Sequence, residues 1–166
     1  MIHTIQNNYL TVQVKNAGAE LCSIKDKAGT EYLFDANPAY WGRSAPVLFP
    51  FVGSLKNKSF VYEGKSYQMG QHGFARDRDF SLLQKEEASI WFRLTSNEET
   101  LAIYPLPFVL DIGGMCTILQ IKAFSSLSAH IQRSSVLPAA AEWTAAIWDL
   151  ICPATFPIAC LTIRDW

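Results

Sequence analysis

The sequence predicts an all-β protein, with short antiparallel strands on a sandwich-like sheet over residues 1–112. Three observations carry this. Apolar and polar residues alternate with a period of two in several short segments, the pattern of a half-buried strand. Turn signals recur every ~8–12 residues. No long run with the 3.6-residue helical period interrupts them, which leaves a sandwich or a barrel-like sheet.

Taken in order, Leu10, Val12 and Val14 alternate with Thr11 and Gln13. Residues 20–25 repeat the pattern through Leu21, Cys22 and Ile24, and Asp26-Lys27-Ala28-Gly29 makes a turn before a short strand at 31–34. Residues 38–53 contain Pro46 and Pro50 around the apolar run Val47-Leu48-Phe49. Proline cannot donate to a ladder, so this segment is an edge or an irregular crossing rather than a central strand. Residues 60–62 and 66–69 flank Glu63-Gly64-Lys65, where Gly64 supplies the positive φ of a tight hairpin. Residues 79–84 and 89–95 straddle Lys85-Glu86-Glu87, a charged hairpin tip. Within 1–112, helical turns are expected only near 38–41 and 97–104.

Past Ile112 the pattern changes. Residues 113–166 hold six charged side chains, Lys122, Arg133, Glu142, Asp149, Arg164 and Asp165, and clean alternation is lost. Pro138 with the alanines after it opens a possible short helix over 139–150, which Cys152-Pro153 and Phe156-Pro157 would stop. Two accounts stand for this irregular tail. It is an apolar subdomain packed on the sheet, or a stretch never selected to fold with the first half, as a shifted reading frame would leave.

Composition narrows the function. Fourteen Lys+Arg balance fifteen Asp+Glu for a net charge of −1, so no nucleic-acid footprint and no polybasic membrane anchor are expected. At 49% hydrophobic residues the chain is not disordered, and no apolar run of ~18 residues suggests a membrane span. Met1-Ile2-His3-Thr4-Ile5-Gln6 lacks the basic and apolar regions of a signal peptide, so a cytoplasmic protein is expected. Cys22, Cys116, Cys152 and Cys160 form no CxxC pair, so they read as buried thiols, with no metal and no cofactor expected.

Two motifs exceed scaffolding: Ala45-Pro46-Val47-Leu48-Phe49-Pro50 and His72-Gly73-Phe74-Ala75-Arg76-Asp77. Together with Asp26-Lys27-Ala28-Gly29-Thr30-Glu31-Tyr32, and with the segments 94–100 and 104–108, they resemble the bacterial branch of the aldose 1-epimerase (galactose mutarotase-like) family. The resemblance covers residues 1–112 and implies part of that family's β-supersandwich. It also implies a small-molecule sugar as partner and interconversion of the α and β anomers of a free aldose. Mutarotation needs a base to take the anomeric hydroxyl proton and an acid to protonate the ring oxygen.

On that resemblance His72 is the catalytic candidate, since a neutral histidine donates to sugar oxygens near pH 7. Gly70 and Gly73 beside it would let backbone approach a ligand. The bland alternative is a turn histidine satisfied by nearby carbonyls. Arg76 and Asp77 are candidates to grip hydroxyls; alternatively they form surface ion pairs with Arg78 and Asp79. Arg43 and Trp41 would line the cleft as cation and aromatic face, or Trp41 is core with Arg43 lying over it. A phosphorylated sugar is the variant ligand, for which Arg43 and Arg76 are the only basic candidates; no Gly-rich phosphate loop is present. His3 is expected to face solvent, and His130 lacks the family context. Typical members carry an Asn-Arg pair before the hairpin, placed here at Gly53-Ser54. Their second histidine and late general-base glutamate have no counterpart in this sequence, so weak activity or pure carbohydrate binding is expected.

Overall fold

The computed structural model describes residues 1–117 and 120–129. Strands β1 (Ile2–Gln6), β2 (Leu10–Lys15) and β3 (Leu21–Asp26) form an antiparallel sheet in chain order. Strands β4 (Ser59–Tyr62) and β5 (Lys65–Gln68) form a separate hairpin, while β6 (Ser81–Lys85), β7 (Ser89–Thr95), β8 (Phe108–Thr117) and β9 (Gln120–Ala129) make a four-stranded meander. The sole α-helix among the described residues, α1, spans Glu98–Ile103 between β7 and β8.

Alternation sets the faces. In β7, Ile90, Phe92 and Leu94 are buried while Trp91 and Arg93 are only half-buried. In β2, Val12 and Val14 turn inward. These faces and Ile5 of β1 share one hydrophobic core with Phe80 and Leu110. Burying a side chain of this kind contributes ~1.5–3 kcal/mol before entropy is subtracted. The two large sheets are also tied by backbone: Gln6 N–H donates to the Glu87 carbonyl at 2.8 Å and Phe80 N–H to that of Asn16 at 2.9 Å.

Several local expectations change. Residues 31–34 do not form a strand; Glu31 makes an isolated bridge to Lys25. Its carboxylate accepts from Ser23 Oγ (2.5 Å), Ile24 N–H (2.7 Å) and Leu33 N–H (3.1 Å), so the side chain satisfies donors that a ladder would otherwise pair. β1 goes unmarked in the sequence because Ile2-His3-Thr4-Ile5-Gln6 does not alternate apolar with polar residues, although their burial does alternate. Residues 38–41 make one turn closed on the Asn37 carbonyl by the Tyr40 and Trp41 N–H groups. Two 3-10 turns, Lys56–Lys58 and Ala75–Asp77, add to the helical turns expected.

The sheet also continues past Ile112. β8 reaches Thr117 and pairs with β9 from Phe108↔Ala129 to Thr117↔Gln120. Ladder bonds use backbone groups that every non-proline residue carries, so pairing does not require clean side-chain alternation. The helix expected over 139–150 lies outside the described residues.

Helix α1 is short enough to depend on its cap. The Asn97 side chain accepts from Thr100 N–H at 2.9 Å, and Thr100 Oγ1 accepts from Asn97 N–H at 2.8 Å. Asn97→Ala should lower unfolding free energy by ~1 kcal/mol, read as a lower urea midpoint at unchanged slope.

Candidate functional site

His72 stands in the left-handed region at φ 65°, which a non-glycine residue occupies at a cost of ~1–3 kcal/mol. Two hydrogen bonds to one residue hold it there. Its N–H donates to the Gly53 carbonyl at 2.8 Å, and its Nδ1 accepts from Gly53 N–H at 2.9 Å. An Nδ1 that accepts carries no proton, so Nε2 bears the hydrogen and is the ring's donor. The carbonyl-satisfied turn histidine considered from sequence is therefore half right: the backbone N–H meets a carbonyl, but the ring meets an N–H.

Partial burial and, secondarily, the Arg76 charge hold the His72 pKa below its usual value. The unfolded chain thus takes up a proton more readily than the fold does. The resulting stability is fully present above the ordinary histidine value and is lost as pH falls through the depressed folded value. Between about pH 7 and pH 5 the urea midpoint of the wild type should drop more than that of His72→Asn, which tolerates the same backbone without titrating. Equal drops would remove His72 as the cause.

Gly73 serves the fold through a close backbone approach of its own. It lies at φ +71°, and an added Cβ would overlap the Phe49 carbonyl oxygen. That close approach lets Phe49 bridge Gly73 in parallel and accept from Phe74 N–H (2.9 Å) and Ala75 N–H (3.2 Å). Phe49 and Phe74 pack edge-to-face at 5.9 Å, so the two sequence motifs lock together.

Arg43, Arg76 and Asp77 gather beside them. Arg43 NH1 donates to the Arg76 carbonyl at 2.9 Å, and NH2 bonds Asp77 Oδ1. Arg76 NH2 donates to the Gln71 carbonyl at 2.9 Å, closing the loop around His72, while its Nε lies 3.6 Å from Asp77 Oδ2. Arg78 pairs with Glu99 at 2.5 Å instead of with Asp77 or Asp79. Trp41 is exposed, so it is not core, and among the described residues no cation lies over its ring; Lys65 over Tyr67 is the contact of that kind. His3 is half-buried, with Nε2 on Asn16 Oδ1 (2.7 Å) and its ring against Phe92, so it does not simply face solvent. His130 lies outside the described residues.

Two features escaped the sequence. Asn57 and Lys58, directly before the β4–β5 hairpin, are both left-handed, while the glycine of Gly53-Ser54 braces His72. Glu20 is fully buried and accepts from the N–H groups of Ser44 (2.7 Å) and Ala45 (3.2 Å), with Lys15 Nζ at 2.9 Å and Arg43 NH1 at 3.7 Å. A glutamate following Ala17-Gly18-Ala19 gives no hint of such burial. The apolar cavity between the large sheets, lined by Val12, Val14, Ile90, Phe92 and Ile112, includes none of the candidate residues.

Residues 1–113 match the aldose 1-epimerase family model. The chromosomal and plasmid LacX proteins of Lactococcus lactis subsp. lactis are each 42% identical over 113 residues, 65% of this chain and 38% of theirs. A galactose mutarotase related enzyme from Lactobacillus acidophilus is 43% identical with a TM-score of 0.72, over 73% of this chain and 41% of that one. A galactose mutarotase-like protein from Lactobacillus casei is 34% identical with a TM-score of 0.70, over 73% and 42%. The chain spans about two-fifths of the length of these relatives. No helix among the described residues is long and apolar enough to cross a membrane. A family match over residues 1–113, borne on the same β fold, makes this chain a member of the aldose 1-epimerase family.

Proposed function

We propose that this chain binds a free aldose at the 72–77 loop, with His72 donating its Nε2 proton to the sugar's ring or anomeric oxygen. The observation that carries this is the clamped His72 itself: a strained backbone and a fixed tautomer, both set by Gly53. Strain of this kind persists where surrounding structure over-determines it, and it clusters at functional sites. Asp77, exposed beside it, would accept from sugar hydroxyls, with Trp41 as the apolar face. A neutral sugar suits the site better than a phosphorylated one, because Glu20, Asp77 and backbone carbonyls already engage Arg43 and Arg76.

The same reading makes the chain a weak epimerase. Acid–base mutarotation needs two proton-transfer groups, and a missing one costs ~10²–10⁴-fold. Spontaneous mutarotation in water would mask what remains. The test pairs two measurements on the whole chain. Galactose or glucose should shift the His72 imidazole NMR signals, while polarimetry of α-galactose should stay near the uncatalysed rate. His72→Ala should abolish the binding response. Unperturbed His72 signals with both sugars would sink the reading, as would fast turnover insensitive to His72→Ala.

We further propose that residues after 113 do not continue the family sequence, because the match stops inside β8 although β8 itself reaches Thr117. Translation of the coding DNA in its other two frames downstream of codon 105 tests this. A Gly-Gly-His-Pro segment there is expected; its absence from both frames argues for an unrelated segment instead.

A further inference from the structure

Glu20 is the most deeply buried charged group among the described residues, with no exposed surface. Its Oε1 accepts from two backbone N–H groups, Ser44 and Ala45. Its Oε2 faces Lys15 Nζ at 2.9 Å and Arg43 NH1 at 3.7 Å, but outside hydrogen-bond geometry, so charge rather than direction holds that oxygen. Taking a carboxylate out of water is costly, and breaking its pairing leaves an uncompensated charge. Accepting from two N–H groups does not require that charge, since a neutral amide oxygen would serve. The two cations require it.

One of those cations leads to the site. The Arg43 guanidinium spans from Glu20 to the Arg76 carbonyl and Asp77 Oδ1. Asp77 is about half exposed, at 53%, and an exposed carboxylate ordinarily samples several rotamers. Here one oxygen is tied to Arg43, while Oδ2, 3.6 Å from Arg76 Nε, keeps lone pairs for an incoming hydroxyl. Behind the loop, Gly18 N–H donates to the Arg78 carbonyl at 2.7 Å, a backbone bond that involves none of the ion pairs. The buried charge therefore reaches the Asp77 side chain through Arg43, while the turn's backbone has a further hold of its own.

We propose that Glu20 is a positioning residue, acting through Arg43 to hold Asp77 in one place before the ligand arrives. This rests on the reading of the 72–77 loop as a sugar site. Pre-ordering one such side chain removes an ordering cost on binding that corresponds to ~2–12-fold in Kd.

A double-mutant cycle on sugar binding tests it, with Kd for galactose and glucose read from His72 imidazole shifts in the whole chain. Glu20→Gln keeps an oxygen for Ser44 and Ala45 but removes the charge, and should weaken binding ~2–12-fold. Asp77→Asn should weaken it as well, and adding Glu20→Gln to Asp77→Asn should cost nothing more, because the effect runs through Asp77. Purely additive losses, or an unchanged Kd in folded Glu20→Gln, would overturn the proposal. Should Glu20→Gln fail to fold, Arg43→Lys replaces it in the cycle; it keeps a positive charge near Glu20 but cannot span to Asp77, and the same non-additivity is expected. If the wild type binds neither sugar, the sugar reading fails and the positioning role is judged separately. Arg43 should then show hindered guanidinium rotation by NMR that Glu20→Gln releases, and unaltered rotation would overturn it.

Discussion

Gly73→Ala should destabilise the fold by at least ~3 kcal/mol and abolish the His72 response to sugar. Two costs combine. A non-glycine residue at φ +71° costs ~1–3 kcal/mol, and the new methyl would overlap the Phe49 carbonyl, forcing backbone to move. That carbonyl accepts from both Phe74 and Ala75 N–H, so its displacement unties the two motifs. Gly70→Ala is the control. Gly70 has no atom near its would-be Cβ, so that substitution should change stability by less than ~0.5 kcal/mol. Urea denaturation of both variants decides the matter. Equal midpoints would mean that the Phe49–Gly73 approach does not constrain the fold.

Glu20→Ala should cost a further large amount, ~3 kcal/mol. It strands the buried N–H groups of Ser44 and Ala45 and leaves Lys15 and Arg43 without their shared counter-charge. Both cations are about 30% exposed and recover part of their hydration, which places the expectation at the low end for a broken buried pair. Glu20→Gln should lose less, because its amide oxygen can still accept from the two N–H groups. Comparing the two unfolding curves separates the backbone contribution from the charge contribution. If both variants match the wild type, the buried carboxylate contributes nothing to stability.

The candidate residues could be named from the sequence, but the bonds that join them could not. His72, Arg76 and Asp77 share one motif, and a motif can be read in order along the chain. That Arg43 reaches Asp77 across 34 positions, or that Gly53 braces His72 across 19, depends on how the 43–53 segment crosses the 72–77 loop. Arg43 was expected to associate with Trp41 two residues away; tertiary packing sends it to Glu20 and Asp77 instead.

The sequence by itself determined the strand class, the β4–β5 and β6–β7 hairpins and the helical turn near 97–104. Each rests on interactions among residues close in the chain: alternation over a single strand, a glycine in a turn, a side chain three residues from the N–H it caps. Only the tertiary structure decided the rest. The burial of Glu20, the tautomer of His72, the irregular path at 31–34 and the continuation of β8 and β9 all depend on partners distant in sequence or on backbone groups common to every residue. Local propensity carries no information about such partners, because the fold and not the order of the chain brings them together.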